Sequence, residues 1–238
     1  MRISLNKAFI FLNIVFIISM QCVAMPLKTE NKPSDKLKVG MVVYDDFEML
    51  DVFGPLEMFG LLRDKVDITI IGQHLGSAKA NGGPSVVIDK TFEQIEQMDI
   101  LLVPGGQGSR KEVYNKVFIE KIKQLANKSS YVGTICTGSA LLSQTDLLDG
   151  KKATTNKRAF KWVESLNLKI NWVKEARWVE DGKFFTSSGV SAGTDMALAL
   201  IAKIYGKEIA NNIADIAEYQ WNEDSTHDIF AKKFGVIE

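Results

Sequence analysis

The sequence predicts an α/β fold built around a mostly parallel central sheet. Short apolar, β-rich runs bounded by polar or glycine residues alternate with stretches that carry apolar residues at three- and four-residue spacing. Runs of the first kind are typical of strands buried on both faces, and the second kind of helices packed on such a sheet. Alternation of the two indicates α/β layers. The predicted strands are Leu37–Tyr44, Val66–Ile71, Ile100–Val103 and Tyr131–Ile135, and the predicted helices are Leu50–Leu62, Arg110–Asn127 and Ser139–Leu148.

The C-terminal third predicts a hairpin followed by two helices. Two extended runs flank Asp181-Gly182, a dipeptide that favours a tight hairpin turn. Two alanine-rich stretches then favour helix, with Gly206 as the stop between them. The segment 222–238 shows no pattern that assigns it. The predicted elements are the short segments Lys151–Thr155, Trp172–Val179 and Lys183–Ser187 and the helices Ala192–Tyr205 and Glu208–Gln220.

The N-terminus has the layout of a secretory signal peptide. Arg2 and Lys7 precede an apolar run from Ala8 to Met20, and small residues near Ala24 suit a signal peptidase. The apolar run is shorter than the roughly 20 residues that a membrane-spanning helix needs. We therefore expect a signal peptide at 1–24 and export to the periplasm or the medium. Lipid attachment at Cys22 is a lesser alternative, because Gln21 before it is large and polar.

A polar, proline-containing leader at 25–36 and a single domain at 37–238 complete the predicted organisation. About 200 residues suit one domain with one core. The whole chain has 29 basic and 29 acidic residues, and loss of Arg2 and Lys7 leaves 27 against 29. Nothing in that balance favours nucleic acid or an anionic membrane surface as a partner. No cofactor and no metal are expected.

Cys136 is the candidate reactive residue. Removal of Cys22 with the signal would leave Cys136 without an intramolecular disulfide partner, so it is shielded, paired with another chain, or reactive. The run from Tyr131 to Leu142 takes a buried strand directly into a helix with Cys136 at the junction, where open α/β folds bind ligands. The helix N-terminus should favour the thiolate. A buried structural cysteine is the alternative.

Backbone donors and a carboxylate are predicted beside this cysteine. Gly105 and Gly106 follow another buried strand, and the N–H groups of Gly106 and Thr137 could bind charge that develops on a substrate. His74 and His227 lie in no recognisable motif, which argues against a Cys-His hydrolase. Asp51 lies in an otherwise apolar stretch, where a carboxylate holds its proton longer and can act as a general acid or base.

Five ordered motifs resemble the ThiJ/PfpI superfamily, and within it the branch that contains isonitrile hydratase. The resemblance implies a flavodoxin-like three-layer sandwich, related to class I glutamine amidotransferases, with a strand-to-helix nucleophile elbow. It also implies that Cys136 is the nucleophile, that Asp51 is essential, that Thr137 assists, and that the protein forms a homodimer. The motifs run from Leu50 to Pro55, Val103 to Gly106, Ile135 to Ser139, Ala153 to Thr155 and Ser188 to Leu198.

Three functions fit this resemblance. The leading one is a cysteine-dependent lyase that adds water to an isonitrile to give an N-substituted formamide. The second is a non-enzymatic redox- or ligand-sensing domain, and the third is a glyoxalase, deglycase or amidase. Relatives of the hydratase usually follow Ala-Thr-Thr with His-Trp, whereas this chain has Asn156-Lys157, so a pocket contact differs.

Overall fold

The computed structural model describes residues 36–238, so the predicted signal peptide at 1–24, and all of the predicted leader except Lys36, lie outside the described residues. Elements are numbered in chain order. The strands are β1 (Leu37–Val42), β2 (Val66–Gly72), β3 (Gly76–Lys79), β4 (Ser85–Ile88), β5 (Lys90–Thr91), β6 (Ile100–Val103), β7 (Tyr131–Thr134), β8 (Lys152–Ala153), β9 (Asn171–Trp172), β10 (Trp178–Asp181) and β11 (Phe184–Ser187). The helices are α1 (Met49–Gly60), α2 (Ser109–Glu112), α3 (Lys116–Asn127), α4 (Gly138–Ser143), α5 (Phe160–Leu166), α6 (Ala192–Tyr205), α7 (Lys207–Ile216) and α8 (Phe230–Lys233).

A seven-stranded sheet in the order β10-β11-β7-β6-β1-β2-β5 forms the middle layer. Every neighbouring pair in it is parallel except β10 with β11. The four residues of β6 are all buried, as expected for a strand that helices cover on both faces. The predicted α/β sandwich with a mostly parallel sheet is confirmed.

Two groups of helices pack on this sheet. One group contains α1, α6 and α7, and the close approach of α1 to α6 depends on Gly54, because a Cβ there would collide with the Thr194 hydroxyl. The other group has α4 lying over β6 and β7, with α3 and α5 against it. The short helix α4 is therefore enclosed, and all six of its residues are buried.

Two of the helices predicted in the N-terminal two thirds are wrong in extent. The stretch Arg110–Asn127 is not one helix, because the chain leaves α2 and begins again at α3, where the Asn115 side chain caps the new helix by accepting the Phe118 N–H at 3.2 Å. The helix predicted over Ser139–Leu148 ends at Ser143. Thr145 then bonds back to the preceding turn, and Asp146 takes a positive φ of 65°.

The predicted hairpin is confirmed in β10 and β11, with Gly182 at a φ of 64° in the turn. The single run Trp172–Val179 is wrong, because Trp172 belongs to β9 and pairs with β8 instead. The helix predicted over Glu208–Gln220 ends at Ile216. The β3–β4 hairpin, β5, α5 and α8 were not predicted. None of the helices within residues 36–238 is long and apolar enough to cross a membrane.

Candidate active site

The loops that follow three neighbouring strands bring the predicted site residues together. Strands β1, β6 and β7 lie side by side and end at the same edge of the sheet. Asp51 follows β1, Gly105 and Gly106 follow β6, and Cys136 and Thr137 follow β7. Because parallel strands share their carboxyl edge, residues far apart in sequence meet there.

Cys136 occupies a strained, tightly held turn between β7 and α4. Its φ is 57°, a left-handed value that non-glycine residues seldom adopt. Its N–H donates to the Ser188 carbonyl at 2.9 Å, and its carbonyl accepts from the Thr155 hydroxyl at 3.0 Å. A Cβ on Gly138 would collide with the Val103 carbonyl, so glycine is needed where α4 begins. This geometry is that of a nucleophile elbow, which projects the side chain into the crevice above the sheet.

Asp51 is fully buried beside this turn. One carboxyl oxygen, Oδ2, accepts the Gly105 N–H at 2.8 Å, and the other, Oδ1, has no hydrogen bond of ordinary geometry among residues 36–238. The pKa of Asp51 is raised to about 8, mainly by burial and in part by the Glu48 charge, while the Gly105 N–H and the Cys136 thiol oppose the shift. Asp51 is therefore a carboxyl group that can hold or release a proton near neutral pH.

The thiol of Cys136 is held in its neutral form. Burial and the charge of Asp51 raise its pKa, and these effects outweigh the backbone N–H groups of Thr137 and Val190 and the side chain of Asn156, which favour the thiolate. The predicted effect of the helix N-terminus is present in the Thr137 N–H, which favours the thiolate, but burial and the Asp51 charge oppose it. The desolvation of a thiol that is only 6% exposed exceeds the contribution from a six-residue helix.

Thr137 is fixed by a small hydrogen-bond network. Its hydroxyl oxygen lies 3.1 Å from the Gly106 nitrogen, which donates to it, and 2.9 Å from the hydroxyl of buried Ser109. The two glycine N–H groups therefore support Asp51 and Thr137. A Cβ on Gly105 would lie 2.5 Å from the Thr137 nitrogen and 2.9 Å from Asp51 Oδ2, so only glycine fits there.

A cavity of about 470 Å³ opens above Cys136. Asn156, expected from the resemblance to be a differing pocket contact, and Val190 lie beside the sulfur, whereas Phe230 and Phe234 from the C-terminal tail were not predicted. The lining residues are Glu48, Gly106, Gln107, Arg110, Cys136, Thr137, Asn156, Lys157, Arg158, Ala159, Ser188, Gly189, Val190, Ser191, Phe230 and Phe234.

Other polar residues have structural roles or lie elsewhere. His74 and His227 do not line this cavity, and His227 faces Glu175 at 3.4 Å on the surface. Asp195, in the first turn of α6, accepts hydrogen bonds from Arg177 and from the Tyr219 hydroxyl, and with Arg177 it forms a buried ion pair. Within residues 36–238, no cluster of three or more metal-ligating side chains occurs.

A cysteine on a strand-to-helix turn, with a buried carboxyl beside it and a cavity above it, defines a class of α/β domains with a cysteine-centred site. A sequence profile of the DJ-1/PfpI family matches residues 37–203, and the chain belongs to this family. The resemblance noted from the motifs is confirmed, and Cys136, Asp51, Gly105 and Thr137 all lie within the matched region.

Known relatives include both enzymes and regulators. The chain is 31% identical over 183 residues to isonitrile hydratase from Pseudomonas putida, covering 77% of this chain and 78% of that protein. It is 29% identical to the HTH-type transcriptional regulator CdhR of Pseudomonas aeruginosa over 59% of this chain, a match that spans only 41% of that regulator. A solved ThiJ/PfpI family protein from Pseudomonas syringae superposes with a TM-score of 0.73 at 26% identity, covering 86% and 85% of the two chains.

Proposed function

We propose that this protein is a cysteine-dependent lyase that hydrates isonitriles to N-substituted formamides. The observation that carries the proposal is the pair formed by Cys136, which lines the cavity, and buried Asp51 beside it, because burial raises the pKa of both groups. The similarity to isonitrile hydratase over more than three quarters of both chains supports the same chemistry.

The addition step uses the proton that this pair holds. The sulfur of Cys136 bonds to the terminal carbon of R–NC, and the thiol proton passes by way of Asp51 to that same carbon. The product is a thioimidate, Cys136–S–CH=N–R, with no atom lost. A neutral pair suits this step, because an isonitrile needs a proton and a nucleophile at one carbon, and Asp51 is poised to relay the proton near neutral pH.

Hydrolysis then releases the product. Water adds to the CH carbon as one of its protons moves to nitrogen. The intermediate then collapses to R–NH–CHO as Cys136 leaves as thiolate, and the remaining hydroxyl proton passes by way of Asp51 to the sulfur. The N–H groups of Thr137 and Val190 and the Asn156 side chain favour the departing thiolate, since all three act to lower its pKa. Thr137 also lines the cavity, and in this proposal its hydroxyl orients the attacking water.

A sensing role is the second candidate, favoured by the similarity to the regulator CdhR. The geometry supports it less well. Oxidation sensors rely on an accessible thiolate, whereas Cys136 is 6% exposed and burial raises the pKa of its thiol.

Turnover of aryl and alkyl isonitriles to formamides tests the proposal. Wild type should produce formamide, Cys136→Ala should not, and Asp51→Asn should lose activity by on the order of a hundredfold or more. Asp64→Asn is the matched control, because it makes the same change at an exposed carboxylate away from the cavity. Absence of turnover by wild type across several isonitriles would overturn the proposal.

We also propose that the protein acts as a homodimer. Helix α1 presents Met49, Leu50 and Phe53, which are 37%, 44% and 44% exposed, on a surface that a second copy could cover. Light scattering of the purified protein at several concentrations tests this, and a monomer at all concentrations would contradict it.

A further inference from the structure

The walls of the cavity above Cys136 have an uneven charge. Arg110, Lys157 and Arg158 are the basic residues that line it, and Glu48 is the one acidic residue in that lining. The residues that line this cavity therefore carry a net positive formal charge, although the chain as a whole has 29 basic and 29 acidic residues. A positive potential in a concave site attracts anions.

Two of these cations are free to bind a ligand. None of the ion pairs among residues 36–238 includes Arg110 or Arg158, and both residues are exposed. The guanidinium of Arg110 lies 4.1 Å from the centroid of the Trp162 ring. Stacking of this kind uses the face of the guanidinium and leaves the N–H edges available, so Arg110 is held in place for a carboxylate.

Lys157 serves the fold instead. It is buried, and its Nζ donates to the Thr154 hydroxyl at 2.8 Å and to the Ala176 carbonyl at 2.6 Å. Its charge adds to the potential, but two of its three protons are already engaged. Glu48 is half-buried and acts on Asp51, whose pKa it raises.

Another part of the cavity wall is aromatic and comes from the C-terminal tail. The rings of Phe230 and Phe234 stack with their centroids 6.2 Å apart, and both line the cavity while remaining 36% and 44% exposed. Buried Asp228 accepts a hydrogen bond from the hydroxyl of Ser188, the residue whose carbonyl accepts the Cys136 N–H. This bond ties the aromatic wall to the turn that carries the thiol.

We propose that the substrate is an isonitrile whose apolar, aromatic body carries a carboxylate, with the carboxylate bound by Arg110 and Arg158. The body then packs against Phe230 and Phe234, and the isonitrile carbon reaches Cys136. The inference rests on the proposed hydratase function for the isonitrile group, while the anion site rests on the cavity itself.

Alkylation of Cys136 tests the anion site without any turnover. Iodoacetate and iodoacetamide form the same S–CH₂ bond and release the same iodide, but only iodoacetate carries a carboxylate. The rate with iodoacetate divided by the rate with iodoacetamide should be about tenfold higher for Cys136 than for the thiol of glutathione. Added salt should reduce this preference. A ratio equal to that of glutathione would overturn the proposal.

Variants locate the effect. Arg110→Gln and Arg158→Gln should each reduce the preference for iodoacetate, and the double variant should abolish it. Lys38→Gln removes the same charge from an exposed residue at the amino-terminal end of β1, the opposite edge of the sheet, and should leave the ratio unchanged. An equal reduction of the iodoacetate preference in the three single variants, Lys38→Gln included, would mean that net charge alone is responsible and would contradict the proposal.

Steady-state kinetics test the substrate class. KM for 4-isocyanobenzoate should be about tenfold lower than for its methyl ester, with little change in kcat, and the arginine variants should remove that difference. If both compounds are turned over with equal KM and Cys136 shows no preference for iodoacetate, the anion site is refuted and the hydratase function is retained. Alkylation preference without turnover of any isonitrile would refute the hydratase and support the anion site.

Discussion

Replacement of Asp51 by asparagine should change how stability depends on pH. The pKa of Asp51 is about 8 in the folded chain against 3.8 for an ordinary aspartate, so the folded state keeps a proton that the unfolded state loses between those values. The free energy of unfolding of the wild type therefore falls as pH rises across this window, by up to about 1.4 kcal/mol per pH unit. Asparagine is neutral in both states and lacks this slope. The free energy of unfolding of the variant, relative to that of the wild type, should therefore rise by up to about 5 kcal/mol between low pH and pH 8.

Urea unfolding at a series of pH values from about 5 to 8 measures this difference. A poor fit of the asparagine amide would shift all values by a constant and leave the slope unaffected. Asp64→Asn makes the same change at an exposed aspartate, and its free energy of unfolding relative to wild type should show no comparable rise with pH. A difference between Asp51→Asn and wild type that stays constant over this range would refute the view that Asp51 is protonated in the folded protein.

Three further predictions concern the reactivity of Cys136, a buried ion pair and the mature N-terminus. Asp51→Asn should accelerate alkylation of Cys136 by iodoacetamide at pH 8, because loss of the Asp51 charge lowers the pKa of the thiol, and a slower reaction would contradict the coupling. Asp195→Asn should lower the free energy of unfolding by about 3–5 kcal/mol, measured in urea, because it leaves the nearly buried Arg177 charge unpaired; a loss under about 1 kcal/mol would show that the ion pair contributes little. We also propose that the exported protein begins at Met25, which N-terminal sequencing of protein from the producing cells tests, and an unprocessed N-terminus would be evidence against export.

Much of the site could be predicted from the sequence because it lies directly after strands. A buried apolar run followed by a glycine pair or a cysteine fixes which residues reach the carboxyl edge of a parallel sheet, and that reasoning placed Gly105 and Cys136 correctly on adjacent loops. The position of Asp51 followed from its place after the first strand.

The remaining walls could not be predicted, because they depend on tertiary packing. Asn156 and Val190, on the loops after β8 and β11, were marked only by the family resemblance, and Phe230 comes from a tail without periodicity. The raised pKa of Cys136 could not be predicted for the same reason: the helix position is visible in the sequence, whereas the burial that opposes it is a property of the folded molecule. Asn115 could have revealed the break between α2 and α3, since asparagine is a favoured helix N-cap.

Detection of the covalent intermediate on Cys136 tests the central claim most directly. Wild-type protein mixed with an aryl isonitrile and quenched rapidly should show, by intact-protein mass spectrometry, an added mass equal to that of the isonitrile, located by peptide mapping on Cys136. Cys136→Ala should show neither the adduct nor formamide. Formamide production by Cys136→Ala at the wild-type rate, or turnover by wild type with the adduct on another residue, would contradict the assignment of Cys136 as the nucleophile.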